Sequence, residues 1–338
     1  MAKSPRRTTL IQCRRLVFLC LLLSVGMAQA AQSALRVGVL NFGTVNWELD
    51  VLQHHKLDER EGVRLEVVPL ASKSATHVAI QGGAVDLIVT DWLWVTRQRG
   101  EGLDYTFVPA SGLTGAIVVR GDAGIDTLAD LRGKRVGVAG GPVDKSWLLV
   151  RAYSRKALGE DVAKFAAPSF GAPPLLNELA LRGEIPAVLN YWHYNARLEA
   201  AGFRPLLAVD DVVRALGVER KLPLVGWVFR ERWARENGDT LARFLRAANA
   251  AKRLLAESDA EWLRIKPLLK AENDATAHAL REAYRASVID CFGAAEVDAS
   301  AVIFGILAEE GGAELVGKQT QIAPGTFWKD SGYPPCEG

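Results

Sequence analysis

The chain has no His-Glu-x-x-His segment, no Cys-x-x-Cys pair and no Gly-x-x-x-x-Gly-Lys-Ser/Thr loop. These absences remove the signatures of zinc peptidases, thiol redox enzymes and P-loop nucleotide hydrolases. The nearest approach to a serine elbow, Ala110-Ser111-Gly112-Leu113, lacks the Gly-x-Ser-x-Gly frame. The nearest approach to a dinucleotide fingerprint is Gly137-Val138-Ala139-Gly140-Gly141-Pro142. Its glycine spacing is wrong, and Pro142 removes a backbone donor. No repeat of solenoid length and no low-complexity tract is present. Past residue 30 no apolar run reaches the ~20 residues of a membrane span, so a soluble mature chain is expected. A basic excess is also missing. The first thirty residues hold five of the 41 basic side chains, which leaves 36 against 39 acidic ones, a net charge of −3. Nothing in that balance points to nucleic acid.

Those first thirty residues form a leader. Lys3, Arg6, Arg7, Arg14 and Arg15 precede the apolar run Leu16–Leu23, and Ala28-Gln29-Ala30 gives a small-x-small cleavage pattern. This is the layout of a cleaved secretory signal with a mature start near Ala31, and it places the protein in the periplasm. Cys20 lies inside the apolar run rather than after a lipobox. Of the four cysteines only Cys291 and Cys336 remain after cleavage, in an oxidising compartment. A disulfide tying the C-terminal tail to a late helix is expected, against the alternative of two unpaired thiols.

In the mature chain short β-branched runs alternate with helical patterns, as in βαβ units. Strands are expected at Leu35–Leu40, Val63–Leu70, Asp86–Thr90, Tyr105–Ala110 and Gly115–Arg120. Helices are expected at Trp47–His55, Ser72–Gln81 and Asp91–Gln98. A second series follows, with strands at Arg135–Ala139, Lys164–Pro168, Ala187–Asn190 and Arg204–Val209. One more apolar run, Leu224–Phe229, precedes a helical C-terminal region. A second lobe inserted into the first explains this order. Residues 1–30 are the leader, 31–120 plus 219–338 the first lobe, and 121–218 the second. Two crossings near the middle make a hinge.

Three segments carry a family resemblance. They are Leu35-Arg36-Val37-Gly38-Val39-Leu40-Asn41-Phe42, Gln81-Gly82-Gly83-Ala84-Val85-Asp86-Leu87, and Ile125-Asp126-Thr127-Leu128-Ala129-Asp130-Leu131-Arg132-Gly133-Lys134-Arg135-Val136-Gly137-Val138. The last is the most specific, being similar to an Asp-Leu-Lys-Gly-Lys-x-Val-Gly-Val entry into a second lobe. With the element order, these segments resemble the type II periplasmic solute-binding proteins of ABC transporters. The likeness is to the group that handles nitrate, taurine, aliphatic sulfonates and thiamine-pyrimidine precursors. It implies an α/β, two-lobe, monomeric protein without cofactor or metal. Such a protein is not an enzyme, and its partners are a small molecule and a membrane permease, its only membrane contact. A periplasmic sensor module is the alternative. The thiamine-pyrimidine synthases that resemble this family carry a cysteine cluster that this chain lacks. Asp91-Trp92-Leu93-Trp94 replaces small residues common after the third strand, so the resemblance leaves the ligand open.

Ligands in open α/β sheets bind beyond the carboxyl ends of strands. The candidates are therefore Asn41, Phe42 and Thr44 after the first strand, with Trp47 early in its helix, and Ser72 after the second. Asp91 and Trp92 follow the third strand and Ser111 the fourth. In the second lobe they are Gly140, Gly141 and Asp144, then Asn190, Tyr191 and Trp192. The aromatic rings can stack on a ligand or fill the core. Asp91, at the end of an apolar strand, needs a partner, either a cationic ligand group or the N–H groups of a helix it caps. His193 reads as a packing or surface residue rather than a metal ligand. On this placement Asp91→Ala and Trp192→Ala each weaken binding without unfolding the chain.

Overall fold

The computed structural model describes residues 34–112 and 115–336, so the expected leader and its cleavage site lie outside the described residues. Ten strands form two five-stranded sheets. The first contains β1 (Leu35–Leu40), β2 (Leu65–Leu70), β3 (Leu87–Asp91), β4 (Tyr105–Ser111) and β10 (Val225–Arg230), in the order β2-β1-β3-β10-β4. The second contains β5 (Gly115–Arg120), β6 (Arg135–Ala139), β7 (Ala167–Gly171), β8 (Ala187–Tyr191) and β9 (Phe203–Ala208), in the order β7-β6-β8-β5-β9.

The two orders are the same pattern. In each sheet three parallel strands carry helical crossovers, and the fourth position is filled by a strand arriving from the other half of the chain. That incoming strand runs antiparallel to both neighbours, β10 between β3 and β4, and β5 between β8 and β9. The sheets are therefore mixed rather than purely parallel. The expected exit from the first lobe near Arg120 falls one strand late, because β5 belongs to the second sheet. An apolar alternating run shows that a strand exists but not which sheet it joins.

Both incoming strands carry a glycine in their first two positions, held against a neighbouring carbonyl. A Cβ on Gly226 would lie 2.1 Å from the Val108 oxygen, and one on Gly115 would lie 2.1 Å from the Asn190 oxygen. Overpacking of this kind costs about 1–3 kcal/mol. Gly226→Ala is expected to lower the unfolding free energy by that amount, read as a lower urea midpoint, and an unchanged midpoint would refute the close approach.

The expected strand at Lys164–Pro168 is displaced. Asp161 accepts the Ala163 N–H at 2.9 Å and caps a short helix, Val162–Phe165, so β7 starts only at Ala167. One apolar cluster runs through both halves, joining Trp92 and Phe107 to Val136, Leu149 and Phe304. The helix Ala294–Val316 packs on both Trp92–Gly100 and Lys145–Leu158, so it bridges the two halves. The tail closes the edge of the first sheet: Phe107 N–H donates to Thr326, and Trp328 N–H to the Phe107 carbonyl. Covering an edge strand in this way removes a site for unwanted pairing. Cys291 and Cys336 are joined by a disulfide, Cα–Cα 4.8 Å, which fastens this tail. Among the described residues no helix is long and apolar enough to cross a membrane.

Candidate functional site

The carboxyl ends of β3 and β6 face each other, and charged side chains meet there. Asp91 ends β3 and caps the next helix, its Oδ1 accepting the Trp94 N–H at 2.9 Å. Its Oδ2 accepts from Lys73 Nζ at 2.7 Å and from Lys145 Nζ at 3.1 Å. Lys73 opens the helix Lys73–Gln81, which Ser72 caps by accepting the Ala75 N–H at 3.1 Å. Lys145 opens the helix Lys145–Leu158 on the second sheet. A buried carboxylate on one half is thus tied to lysines from both halves.

Burial alone would raise the Asp91 pKa. The charges of Lys145 and Lys73, with hydrogen bonds from Lys73 and the Trp94 N–H, outweigh it and hold the carboxyl well below its ordinary range. Burial works to lower the Lys145 pKa, but Asp91 and Asp144 carry it above its usual value. Asp144 caps the Lys145–Leu158 helix through the Ser146 and Trp147 N–H groups at 3.0 and 3.4 Å. Burial nonetheless pushes its pKa up, against the pull of Lys145. Tyr191 donates its hydroxyl to Asp144 Oδ2 at 3.4 Å, and burial followed by the Asp144 charge raises the phenol. Gly140, exposed at φ +92°, and its neighbour Gly141 form the loop beside Asp144 and Tyr191. His77 stacks on Trp94 at 4.3 Å with its Nε2 3.1 Å from Thr90 Oγ1. Burial, then Lys73 and Lys145, lower its pKa to about 4.

A groove of about 720 Å³, lined by none of these charged groups, opens between the two halves. Asn41, Phe42, Thr44 and Trp47 line it from the first sheet, His193 and Arg197 from the second. Arg197 is fully engaged across the seam, donating to the Leu269 and Lys270 carbonyls at 2.7 and 2.9 Å and to Glu272 at 2.9 Å. Trp192 meets Trp47 edge-on at 6.0 Å and lies 6.5 Å from Tyr284, so an aromatic ring also crosses the seam. His193 sits between Trp192 and Tyr194 at 5.4 and 4.4 Å. Its Nδ1 is buried with no hydrogen-bond partner among the described residues, and burial lowers the ring's pKa to about 3.

Of the sequence candidates, the groove gathers Asn41, Phe42, Thr44 and Trp47, and the charged cluster gathers Asp91, Gly140, Asp144 and Tyr191. Trp92, Asn190, Ser111 and Ser72 fall outside both groups. Trp92 is completely buried, 5.9 Å from Phe327, because the side chain of a first helical residue points back toward the helix start and here into the core. Asn190 is also buried. Its amide donates to Pro173 and Asn177 while its Oδ1 accepts the Tyr191 N–H, so its hydrogen bonds are spent inside the second half. Ser111 lies half-buried at the end of β4, opposite Val225, where the chain crosses between halves. Ser72 is exposed and serves as a cap. Lys73, Lys145 and His77 were not selected from sequence. The signal for Lys73 and Lys145 is their place at the start of helices that follow strands, and His77, one turn further on, carries none.

The sequence profile described as NMT1/THI5 like matches residues 59–261, more than half of the chain. The protein belongs to the NMT1/THI5-like family. No curated protein matches this family member. Among solved structures it is similar to the periplasmic aliphatic sulphonate binding protein SsuA from Escherichia coli. That match has 19% identity over 90% of this chain and 94% of the other, with a TM-score of 0.69. The alkanesulfonate-binding protein SsuA from Xanthomonas axonopodis pv. citri, bound to MOPS, matches at 18% identity over 88% and 99%, TM-score 0.67. A zinc-bound ligand-binding component of an ABC-type import system from Staphylococcus aureus matches at 14% over 89% and 98%, TM-score 0.64. At these identities the likeness establishes the two-lobe α/β fold of this NMT1/THI5-like chain.

Proposed function

We propose that the protein is the periplasmic solute-capturing component of an ABC importer, holding a small molecule between its lobes and delivering it to a membrane permease. The observation that carries this reading is the groove of about 720 Å³ lined from both halves, and a carboxylate that lysines from both halves share ties the same halves together. Ligand that touches both halves at once favours the closed arrangement over the open one. The matching of fold with structures named as binding components supports the same reading. The lobes are then residues 35–112 with 218–336, and 115–217, with the crossings between β4 and β5 and before β10 as the hinge.

The test is a ligand panel on the chain lacking its leader, read by melting temperature and tryptophan fluorescence. The panel holds sulfonates, nitrate, thiamine-pyrimidine precursors, amines and chelated metals. A ligand at one hundred times its Kd stabilises the native state by about 2.7 kcal/mol. A saturable shift with one class is expected, and Trp47 and Trp192 at the seam should report it. No shift with any class, and no solute co-purifying with the protein, would overturn the reading.

A further inference from the structure

The charges around the cleft cancel. Lys73 and Lys145 face Asp91 and Asp144. In the groove Arg197 and Lys270 are matched by Glu178 and Glu272. Arg197 already spends its donors on Glu272 and two carbonyls. A small oxyanion entering here would leave water without meeting a surplus cation, and burying an unpaired charge is costly.

The rim is apolar instead. Phe42, Leu181 and Leu268 line the groove and are 57%, 58% and 44% exposed, an unusual state for such large side chains. They come from three separate segments, Phe42 and Leu268 on the first half and Leu181 on the second, with Pro174 and Pro267 beside them. All three line the same groove, so the apolar surface they leave open faces one space. The groove's volume lies in the ~300–1,000 Å³ range of sites for drug-sized molecules, far more than an oxyanion fills. Its open polar lining is uncharged, with Asn41, Thr44 and the imidazole of His193 offering hydrogen bonds without net charge, while Asn177 and Thr276 are buried and already bonded.

Resting on the reading of the chain as a solute-capturing protein, we infer that the captured solute is an amphipathic molecule without net charge, with an aromatic or alkyl body. Its body lies against Phe42, Leu181 and Leu268, and its polar end meets Asn41, Thr44 or His193 on the same groove.

Two dyes that share a ring skeleton isolate the charge. N-phenyl-1-naphthylamine is uncharged, and 8-anilinonaphthalene-1-sulfonate adds one sulfonate. Both are titrated into the leaderless protein, with taurine and nitrate as small-molecule comparisons. The uncharged dye is expected to bind at one saturable site about tenfold tighter than its sulfonate. Its affinity should be unchanged between about 0.02 M and about 0.5 M salt, since no ion pair is there to be screened. Phe42→Ser/Leu181→Ser/Leu268→Ser alters only exposed side chains, so it should keep the wild-type melting temperature and weaken the uncharged dye about tenfold or more. Equal affinity in that variant would overturn the inference. Tighter binding of the sulfonate, taurine or nitrate, falling with salt, would overturn it while leaving the capture reading in place. No binding by any of the four would overturn the inference, and the wider panel would then judge the capture reading.

Discussion

Asp91→Ala is expected to destabilise the folded chain by about 3 kcal/mol, the low end of the cost of breaking a buried ion pair. Asp91 is almost fully buried, and Lys145, whose side chain is only 18% exposed, loses its partner without gaining water. Lys73, half exposed, can swing out and rehydrate, which keeps the cost from rising further. The helix Trp92–Gly100 also loses its cap, at about 1 kcal/mol. Asp91→Asn separates the two effects, because an amide keeps the cap and removes the charge. Lys145→Met in the Asp91→Ala background should recover part of the loss, since it removes the stranded cation. Urea unfolding of the four chains gives the coupling energy directly. A wild-type midpoint for Asp91→Ala, or no recovery in the double variant, would show that the cross-cleft pair holds nothing. The expectation from sequence that Asp91→Ala affects binding alone therefore changes: this carboxylate supports the fold as well. Lys145→Met, which severs the tie while leaving Asp91 its Lys73 partner, is the cleaner probe of how the two halves are held together.

Much of the architecture was legible because it depends on local pattern. Nine of the ten strands fall where alternating apolar runs placed them, and the tenth slipped because Asp161 caps a short helix that the run Lys164–Pro168 concealed. Which sheet a strand joins is not local information, and Gly115–Arg120 was assigned to the wrong side for that reason. The site shows the same division. That Asp91 needs a partner follows from a carboxylate at the end of an apolar strand. The identity of its partners does not, because Lys73 and Lys145 meet it only through sheet order, 18 and 54 residues away. Trp92 was misplaced because a strand end followed by a helix start exposes one direction and buries the other, and its side chain takes the buried one. Asn190 was misplaced because three amides, Asn177, Asn190 and Asn195, satisfy one another and nearby carbonyls in the interior, a network that no spacing rule marks.

The steepest expected effect is on acid stability, and it comes from the two histidines. Burial lowers His193 to about 3 and His77 to about 4, so each ring stays neutral in the folded chain at pH values where an unfolded histidine takes up a proton. Between an unfolded pKa near 6.5 and these folded values the unfolded state binds more protons, so stability rises with pH and is lost as pH falls. Each fully shielded histidine contributes a slope of about 1.4 kcal/mol per pH unit. His193 approaches that limit, and His77, more open to solvent, contributes less. The two histidines together contribute a slope of about 2 kcal/mol per unit from about pH 6.5 down to about pH 4, and Asp144, whose pKa is raised, works against it over part of that range. Asp91 acts in the same direction at lower pH, because its depressed pKa makes its contribution full above the unfolded carboxylate range and progressively lost below it. Urea midpoints measured from about pH 7.5 to about pH 4.5 give the slope. His193→Phe keeps a ring between Trp192 and Tyr194, and His77→Phe keeps one on Trp94, so neither leaves a cavity. His193→Phe should remove roughly half or more of the slope and His77→Phe a smaller share. A slope unchanged in both variants would mean that the two imidazoles are already open to protons in the native protein. His193 would then carry positive charge in the groove wall only below about pH 6.5.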